Sequence, residues 1–200
     1  CGALILDTNR YRLPAEVEFD PWAKWPSSFR AYARSRGISE EQVIRWRIGY
    51  AVGGRLANRI VFVKRDTEGN DAGYSARSCV GDRKRYLEAD GTASTVLFGE
   101  EHWGTHRGIL YVTEGAINAL AVERALGNVA VATLSGSTIR PFTAAKIAGF
   151  RRIVLMVDPD KAGDRVADEI GVLMARHREV VRAAFPVGKD AADLSIDELR

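Results

Sequence analysis

The sequence contains few of the residues that build zinc sites and disulfide frameworks. Its 200 residues include 2 cysteines, Cys1 and Cys79, and 3 histidines, and none of these is spaced as a Cys/His cluster. Two thiols in a chain of this kind are far more often reduced than paired. The sequence therefore predicts neither a disulfide-stapled fold nor a histidine-based metal site or catalytic triad.

Long apolar runs are also missing. No stretch approaches the roughly 18 to 20 consecutive apolar residues that a membrane helix needs, and no segment has the succession of a signal peptide. We therefore expect a cytoplasmic protein without a membrane partner. The chain begins with Cys1 rather than Met, which indicates a fragment of a longer protein.

The surplus of positive charge is small, because 29 Lys and Arg residues face 26 Asp and Glu residues. Its distribution is uneven. Ten basic and four acidic residues lie between Arg45 and Arg85, whereas residues 108–200 carry twelve of each sign. Affinity for a polyanion is therefore expected in the first half of the chain.

The first 27 residues hold three of the 6 prolines and no sustained apolar period, which predicts a linker or arm. A short helix is then expected from Ser28. A second helix follows behind Ser39 and Gln42, which are spaced as a capping box. The apolar residues of this second segment predicted to face the core are Val43, Ile44 and Ile48.

Residues 28–107 also contain strands, because β-prone runs at 60–63 and 72–78 flank turn-forming residues and continue near Tyr86. This segment is interpreted as a small, basic α+β subdomain. From residue 108 onward, four apolar strands alternate with helical stretches, which favours a parallel sheet flanked by helices. The strands are predicted at 109–113, 129–134, 153–157 and 180–185. The helix over 163–177 should bury Val166, Ile170, Leu173 and Met174.

Acidic residues follow three of these four strands. In a parallel sheet the ligand site lies beyond the carboxyl ends of the strands, so these side chains should meet at one edge. Such a group of carboxylates repels itself unless a cation neutralises it, and hard oxygen ligands favour Mg²⁺ or Mn²⁺ over zinc. The candidate ligands are Glu114, Asp158, Asp160 and Asp190. Asp193 is either a further ligand or a cap of the segment from Leu194 to Leu199. The second strand ends at Ser135–Ser137, a turn suited to phosphate.

Three segments at these strand ends resemble the motifs of a TOPRIM domain: residues 113–120 (Thr-Glu-Gly-Ala-Ile-Asn-Ala-Leu), 134–136 (Leu-Ser-Gly) and 157–163 (Val-Asp-Pro-Asp-Lys-Ala-Gly). The resemblance implies an α/β fold with about four parallel strands between helices, over residues 108–200. It also implies a metal-dependent phosphoryl-transfer site. By that resemblance Glu114, Asp158 and Asp160 are the catalytic candidates.

The preceding half resembles the N-terminal subdomain of bacterial- and phage-type DNA primases. The resemblance rests on residues 33–39, 46–51, 58–62, 73–77 and 85–87. It implies contacts with template or incoming nucleotide by six basic side chains: Arg59, Lys64, Arg65, Arg77, Lys84 and Arg85. The implied partners are single-stranded DNA and nucleoside triphosphates, with a replicative helicase as a further candidate.

Two departures from the primase pattern bear on this interpretation. Primases usually carry Asp four residues after the glutamate, where this chain has Asn118. The zinc ribbon expected at a primase N-terminus is missing, so zinc is expected only if the parent protein contains such a ribbon, of which Cys1 could be the last ligand. The alternatives to primer synthesis are a TOPRIM nuclease and a catalytically silent DNA-binding replication module.

Overall fold

A computed structural model describes residues 11–82, 84–89, 96–105, 107–134, 139–174 and 179–200. Within these ranges no helix is long and apolar enough to cross a membrane. The location in the cytoplasm stays a prediction. The proposed zinc-ribbon remnant at Cys1 and the phosphate-binding turn at Ser135–Ser137 lie outside the described residues.

The first half forms two short helices and an antiparallel sheet. The helices are α1 (Ser27–Ser35) and α2 (Glu40–Arg45), and the four strands pair in the order β1-β2-β3-β4. The strands are β1 (Ile48–Ala51), β2 (Arg59–Arg65), β3 (Asp71–Ser78) and β4 (Tyr86–Glu88). The predicted hairpin is confirmed as β2 and β3. The capping box is confirmed too, since the hydroxyl of Ser39 accepts from the backbone N–H of Gln42 and the Gln42 side chain accepts in return.

Helix α2 is shorter than its apolar pattern predicted. Val43 is buried as expected, but Ile44 is exposed, and Ile48 belongs to strand β1. The chain leaves the helix at Arg47, whose φ of 46° turns it into the sheet. Ile48 then pairs with Phe62 of β2, so long-range strand pairing overrides the local helical pattern.

The described part of the predicted arm, residues 11–26, packs against the antiparallel sheet. Glu18 forms an isolated bridge to Tyr50. Trp22 and Trp25 are both buried in the largest core cluster, and Trp25 donates from its ring nitrogen to the Asp20 carbonyl. These residues therefore extend the hydrophobic core of the first half.

The second half forms a parallel sheet with strand order β6-β5-β7-β8. The strands are β5 (Ile109–Thr113), β6 (Ala130–Thr133), β7 (Arg152–Met156) and β8 (Glu179–Arg182). The helices are α3 (Ala116–Leu126), α4 (Pro141–Ile147), α5 (Lys161–Met174) and α6 (Ile196–Leu199). The predicted fold class, a four-stranded parallel sheet with helices after an α+β unit, is confirmed. Along α5, Val166, Ile170 and Met174 are buried as predicted, whereas Leu173 is half exposed because it lies beside that stripe.

Helix α3 joins the two sheets, because almost every residue along it is buried. Ile117 and Leu120 of α3 share one hydrophobic cluster with Ile60 and Phe62 of β2. We call the face of the antiparallel sheet that carries Ile60 and Phe62 the inner face. Strand alternation and the cross-strand pairing put further side chains on this face, most of them polar. They are Lys64, Ser75, Arg77, Tyr86 and Glu88.

Candidate active site between the two sheets

A cavity of about 330 Å³ lies where the inner face meets the carboxyl edge of the parallel sheet. Its acidic wall comes from the second half of the chain, and its basic wall comes from the first. The acidic residues are Glu114, Asp158 and Asp190, and the basic residues are Arg36, Arg77 and Arg85. The structure thus brings together three of the four predicted metal ligands.

Two adjacent strands position the central carboxylates. Glu114 follows β5 and Asp158 follows β7, and these strands pair directly. The Glu114 carboxylate accepts a 3.0 Å hydrogen bond from the backbone N–H of Asp158. Gly163 holds the next turn close, because a Cβ there would lie 2.1 Å from the Asp158 carbonyl oxygen. The loop after β7 is therefore packed directly against the start of α5.

The central carboxylates carry uncompensated charge. Burial raises the pKa of Glu114 and outweighs the lowering effect of its hydrogen bond from Asp158, and the neighbouring carboxylates raise this pKa further. Burial also raises the pKa of Asp158, followed by repulsion from Asp190 and Asp160. The Oδ1 atom of Asp158 is buried and has no hydrogen-bond partner. This site therefore favours a bound cation or proton.

Asp160 lies apart from the cavity wall and caps helix α5. Its Oδ1 accepts from the backbone N–H groups of Ala162 and Gly163, at 2.8 and 2.9 Å. Asp190 lines the cavity but also accepts from the Ala192 N–H, while Asp193 accepts from the Asp190 N–H. Asp160 is thus a helix cap, and Asp193 closes a capping box with Asp190 around residues 191–193, while Ser195 caps helix α6. The metal-binding roles of Asp160 and Asp193 stay predictions.

The donor chemistry of the cavity fits a hard divalent cation. Carboxylate oxygens from neighbouring strand ends face one space, and one of these oxygens lacks a partner. Among the described residues, however, no three acidic, histidine or cysteine side chains stand close enough to hold one metal ion together. A full ligand set would therefore require side-chain rotation, solvent or substrate oxygens.

Three predicted basic residues lie at or beside the site. Arg77 donates to the hydroxyl groups of Tyr32 and Tyr86, at 2.8 and 2.9 Å, and its guanidinium stacks over the Tyr86 ring. Arg85 is exposed on the cavity wall and lowers the pKa of Asp158. Lys64 lines an adjoining cavity that also contains Glu114.

The other three predicted basic residues do not line either cavity. Arg59 is 4% exposed, pairs with Asp82 at 2.9 Å and donates to three backbone carbonyls. Arg65 faces Glu101 at 3.3 Å. Lys84 is exposed, and its carbonyl accepts from Arg59. Their contacts serve the fold, and their proposed contacts with nucleic acid stay untested.

Arg36 and Tyr86 line the cavity without having been predicted as site residues. Arg36 follows the last residue of helix α1 and precedes Gly37. The sequence does not show that Arg36, and not the nearby Arg34, faces the cavity. The sequence indicates only that Tyr86 lies in a β-prone segment. Its pairing with Arg77 across β3 and β4 is what turns it toward the site.

Comparison with known proteins finds similarity in the parallel-sheet half and in the fold that joins both sheets. Residues 111–195 match the Toprim-like family. The chain is similar to a DnaG primase catalytic domain bound to single-stranded DNA, with a TM-score of 0.74 and 21% identity over 86% of this chain and 68% of that one. The Escherichia coli primase catalytic core is 20% identical, with a TM-score of 0.71 over 84% of this chain and 68% of that chain. No curated protein sequence matches.

The primase fragment of the bacteriophage T7 primase–helicase protein is 27% identical, with a TM-score of 0.62 over 80% of this chain and 66% of that chain. The resemblance to bacterial- and phage-type primases is thus confirmed at the level of the fold. The chain contains a Toprim-like domain at residues 111–195, set within the fold of the bacterial and phage primase catalytic cores.

Proposed function

We propose that this chain is the catalytic core of a DNA primase, which joins nucleoside triphosphates into short RNA primers on single-stranded DNA. The observation that carries the proposal is the cavity in which carboxylates after β5 and β7 face three arginines of the first half. Phosphoryl transfer needs both kinds of group, because the substrate is a polyanion and the reaction centre requires neutralisation. A fold shared with a primase domain bound to single-stranded DNA supports it.

The basic wall is suited to hold phosphate groups. Arg36, Arg77 and Arg85 present guanidinium groups, whose planar forks match phosphate oxygens. The hydroxyl groups of Tyr32 and Tyr86 fix the Arg77 fork, so its direction is set before a ligand arrives. We assign this wall to the triphosphate or the template backbone.

The acidic wall would hold Mg²⁺ or Mn²⁺ through Glu114, Asp158 and Asp190, with Asp160 able to join by leaving its helix cap. The ion, when bound, supplies charge neutralisation at the phosphorus atom and alignment of the attacking hydroxyl group. Glu114, whose pKa is raised by burial, can accept the proton of the 3′-hydroxyl group at its carboxylate as the 3′-oxygen bonds to the α-phosphorus and pyrophosphate leaves. Asn118 also lines this wall and adds an amide without charge.

The test is RNA synthesis on mixed single-stranded DNA templates with labelled nucleoside triphosphates and Mg²⁺ or Mn²⁺. Asp158→Ala and Glu114→Gln should each lower the yield of short RNA at least about 100-fold, because each removes a carboxylate from the reaction centre. Asp168→Ala is the matched control, since it removes an exposed carboxylate from α5 away from the cavity and should leave synthesis unchanged.

Other products would identify the alternatives. Metal-dependent cleavage of the template, without RNA synthesis, would replace the proposal with a TOPRIM nuclease. DNA binding that ignores both magnesium and Asp158→Ala would indicate a silent replication module. A helicase partner and the cytoplasmic location belong to the same proposal and are tested separately, by pull-down with a replicative helicase and by cell fractionation.

A further inference from the structure

A second cavity, of about 220 Å³, adjoins the first. Tyr86, Glu114 and Gly115 line both cavities. The walls of the second cavity come from three inner-face side chains, Lys64, Ser75 and Glu88, and from the end of β6 with the residue after it, Thr133 and Leu134. A ligand in the first cavity can therefore extend past the Tyr86 ring into the second.

The Lys64–Glu88 pair is the unusual feature of this wall. Lys64 is 1% exposed, and its ammonium group lies 2.7 Å from Oε2 of Glu88, whose side chain is 35% exposed. The same face of β2 is apolar at Ile60 and Phe62. Only the Lys64 end of this pair is buried, while the Glu88 end is partly exposed and lines the cavity. The Lys64–Glu88 pair lies where the inner face borders the second cavity, so its charged groups can contact a ligand there.

The charges indicate which part of a ligand belongs there. One ammonium group and two carboxylates, those of Glu88 and Glu114, line the second cavity, so it repels phosphate, while the first cavity offers three guanidinium groups. An uncharged heterocycle suits the second cavity, since Tyr86, Ala116 and Leu134 provide apolar surface. Lys64 donates hydrogen bonds and Glu88 accepts them, so the cavity presents a donor beside an acceptor.

We infer that the second cavity binds the base of a nucleotide whose phosphates occupy the first cavity, and that the Lys64–Glu88 pair favours guanine. Guanine places its O6 acceptor beside the N1–H and N2–H donors, which complements an ammonium group beside a carboxylate. This inference rests on the proposed use of nucleoside triphosphates. It adds a base preference that originates in the protein and not in the template.

The experiment is calorimetric binding of GTP, ATP, CTP and UTP to the full chain without template. GTP should bind about tenfold more tightly than the other three, the discrimination typical of a good bidentate pair. Glu88→Gln replaces one acceptor oxygen with a donor and should remove the preference for GTP. Lys64→Met should remove it as well, and thermal unfolding checks that this buried variant still folds.

Lys146→Met is the matched control, because it breaks another largely buried Lys–Glu pair, with Glu100, whose two residues line neither cavity. It should lower stability and leave the base preference intact. Equal binding of all four nucleotides, or a preference that survives Glu88→Gln, would overturn the inference. RNA synthesis by a chain that binds all four nucleotides equally would contradict the guanine site and leave the primase proposal standing. Guanine-selective binding by a chain that makes no RNA would contradict the primase proposal and leave the guanine site standing.

Discussion

The two sheets treat their charged side chains in opposite ways. On the antiparallel sheet, Arg59 is matched by Asp82, Lys64 by Glu88, and Arg77 by two tyrosine hydroxyl groups. At the edge of the parallel sheet, the Glu114 carboxylate accepts only a backbone hydrogen bond from Asp158, and one carboxylate oxygen of Asp158 has no partner. Burial and repulsion raise the pKa of both residues. The charges named on the antiparallel sheet have partners within the protein, while the acidic edge favours a bound cation or proton.

This difference predicts what each substitution costs in stability, and it does not exclude binding, since Arg77 and the Lys64–Glu88 pair have internal partners and also line the two cavities. A charge satisfied inside the protein contributes to folding, and its removal should be measured as lost stability. A charge left unsatisfied costs stability and is retained for function. Four substitutions test this division, beginning with the one of largest effect.

Gly163→Ala should displace the loop that carries Asp158 from the start of helix α5. The new Cβ would lie 2.1 Å from the Asp158 carbonyl oxygen, and backbone atoms cannot yield cheaply. We expect a loss of about 3 kcal/mol in the free energy of unfolding, measured by urea denaturation. Gly171→Ala in the same helix has open space around its Cβ and should raise stability by up to about 1 kcal/mol. Equal changes in the free energy of unfolding for the two substitutions would contradict the close approach of Gly163 to the Asp158 carbonyl group.

Arg59→Met should lower the free energy of unfolding by about 2 to 3 kcal/mol, because it removes a buried guanidinium group that binds three carbonyls and Asp82. The methionine side chain keeps much of the packing of the stem. DNA affinity of the folded variant, measured by fluorescence anisotropy, should stay close to that of the original chain. A large loss of DNA affinity with an unchanged free energy of unfolding would show that Arg59 binds DNA and does not support the fold.

Glu101→Gln should alter the pH dependence of stability. Burial raises the pKa of Glu101 from 4.5 to about 7 despite the nearby Arg65. The folded state therefore holds this proton more tightly, and the resulting stability is lost as pH rises from 4.5 through about 7. The variant should gain about 2 kcal/mol relative to the original chain between pH 5.5 and pH 8.

Thermal unfolding of the two proteins over that pH range measures this gain. Glu179→Gln is the control, because Glu179 is exposed in its pair with Arg152 and its loss should not change the pH profile. A difference between Glu101→Gln and the original chain that stays constant with pH would show that Glu101 titrates normally.

Arg85→Ala should have the smallest effect on the fold, within about 0.5 kcal/mol, because Arg85 is exposed. It should weaken single-stranded DNA binding by about tenfold and lower the slope of log affinity against log salt by about 1. Arg55→Ala removes an exposed arginine outside both cavities and serves as the control. A salt slope unchanged by Arg85→Ala would remove Arg85 from the phosphate contacts.

Much of the fold could be predicted because it depends on local patterns. The parallel strands have an apolar sequence of the right length, and the capping box of Ser39 and Gln42 marks the start of α2. Predictions went wrong where long-range contacts decide the outcome. Ile48 was assigned to a helix, because only the pairing of strand β1 with β2 shows that this residue lies in a sheet.

The candidate site divides in the same way. Glu114, Asp158 and Asp190 were predictable, since each follows a recognisable strand of a parallel sheet and the carboxyl ends of such strands meet. The basic wall was predicted only in part: Arg77 and Arg85 were candidates and line the cavity, whereas Arg59 was an equal candidate and does not, because these charges look alike in sequence. Arg59 is enclosed by backbone carbonyls, and Arg77 faces the cavity.

The sequence by itself therefore determined the type of each sheet and the chemistry of the acidic edge, because periodicity and strand ends are local properties. Only the tertiary structure decided which basic residues meet those carboxylates. The packing of α3 between the sheets brings the inner face to the acidic edge. Distances across that packed layer depend on contacts between residues far apart in the chain, and no local pattern records them.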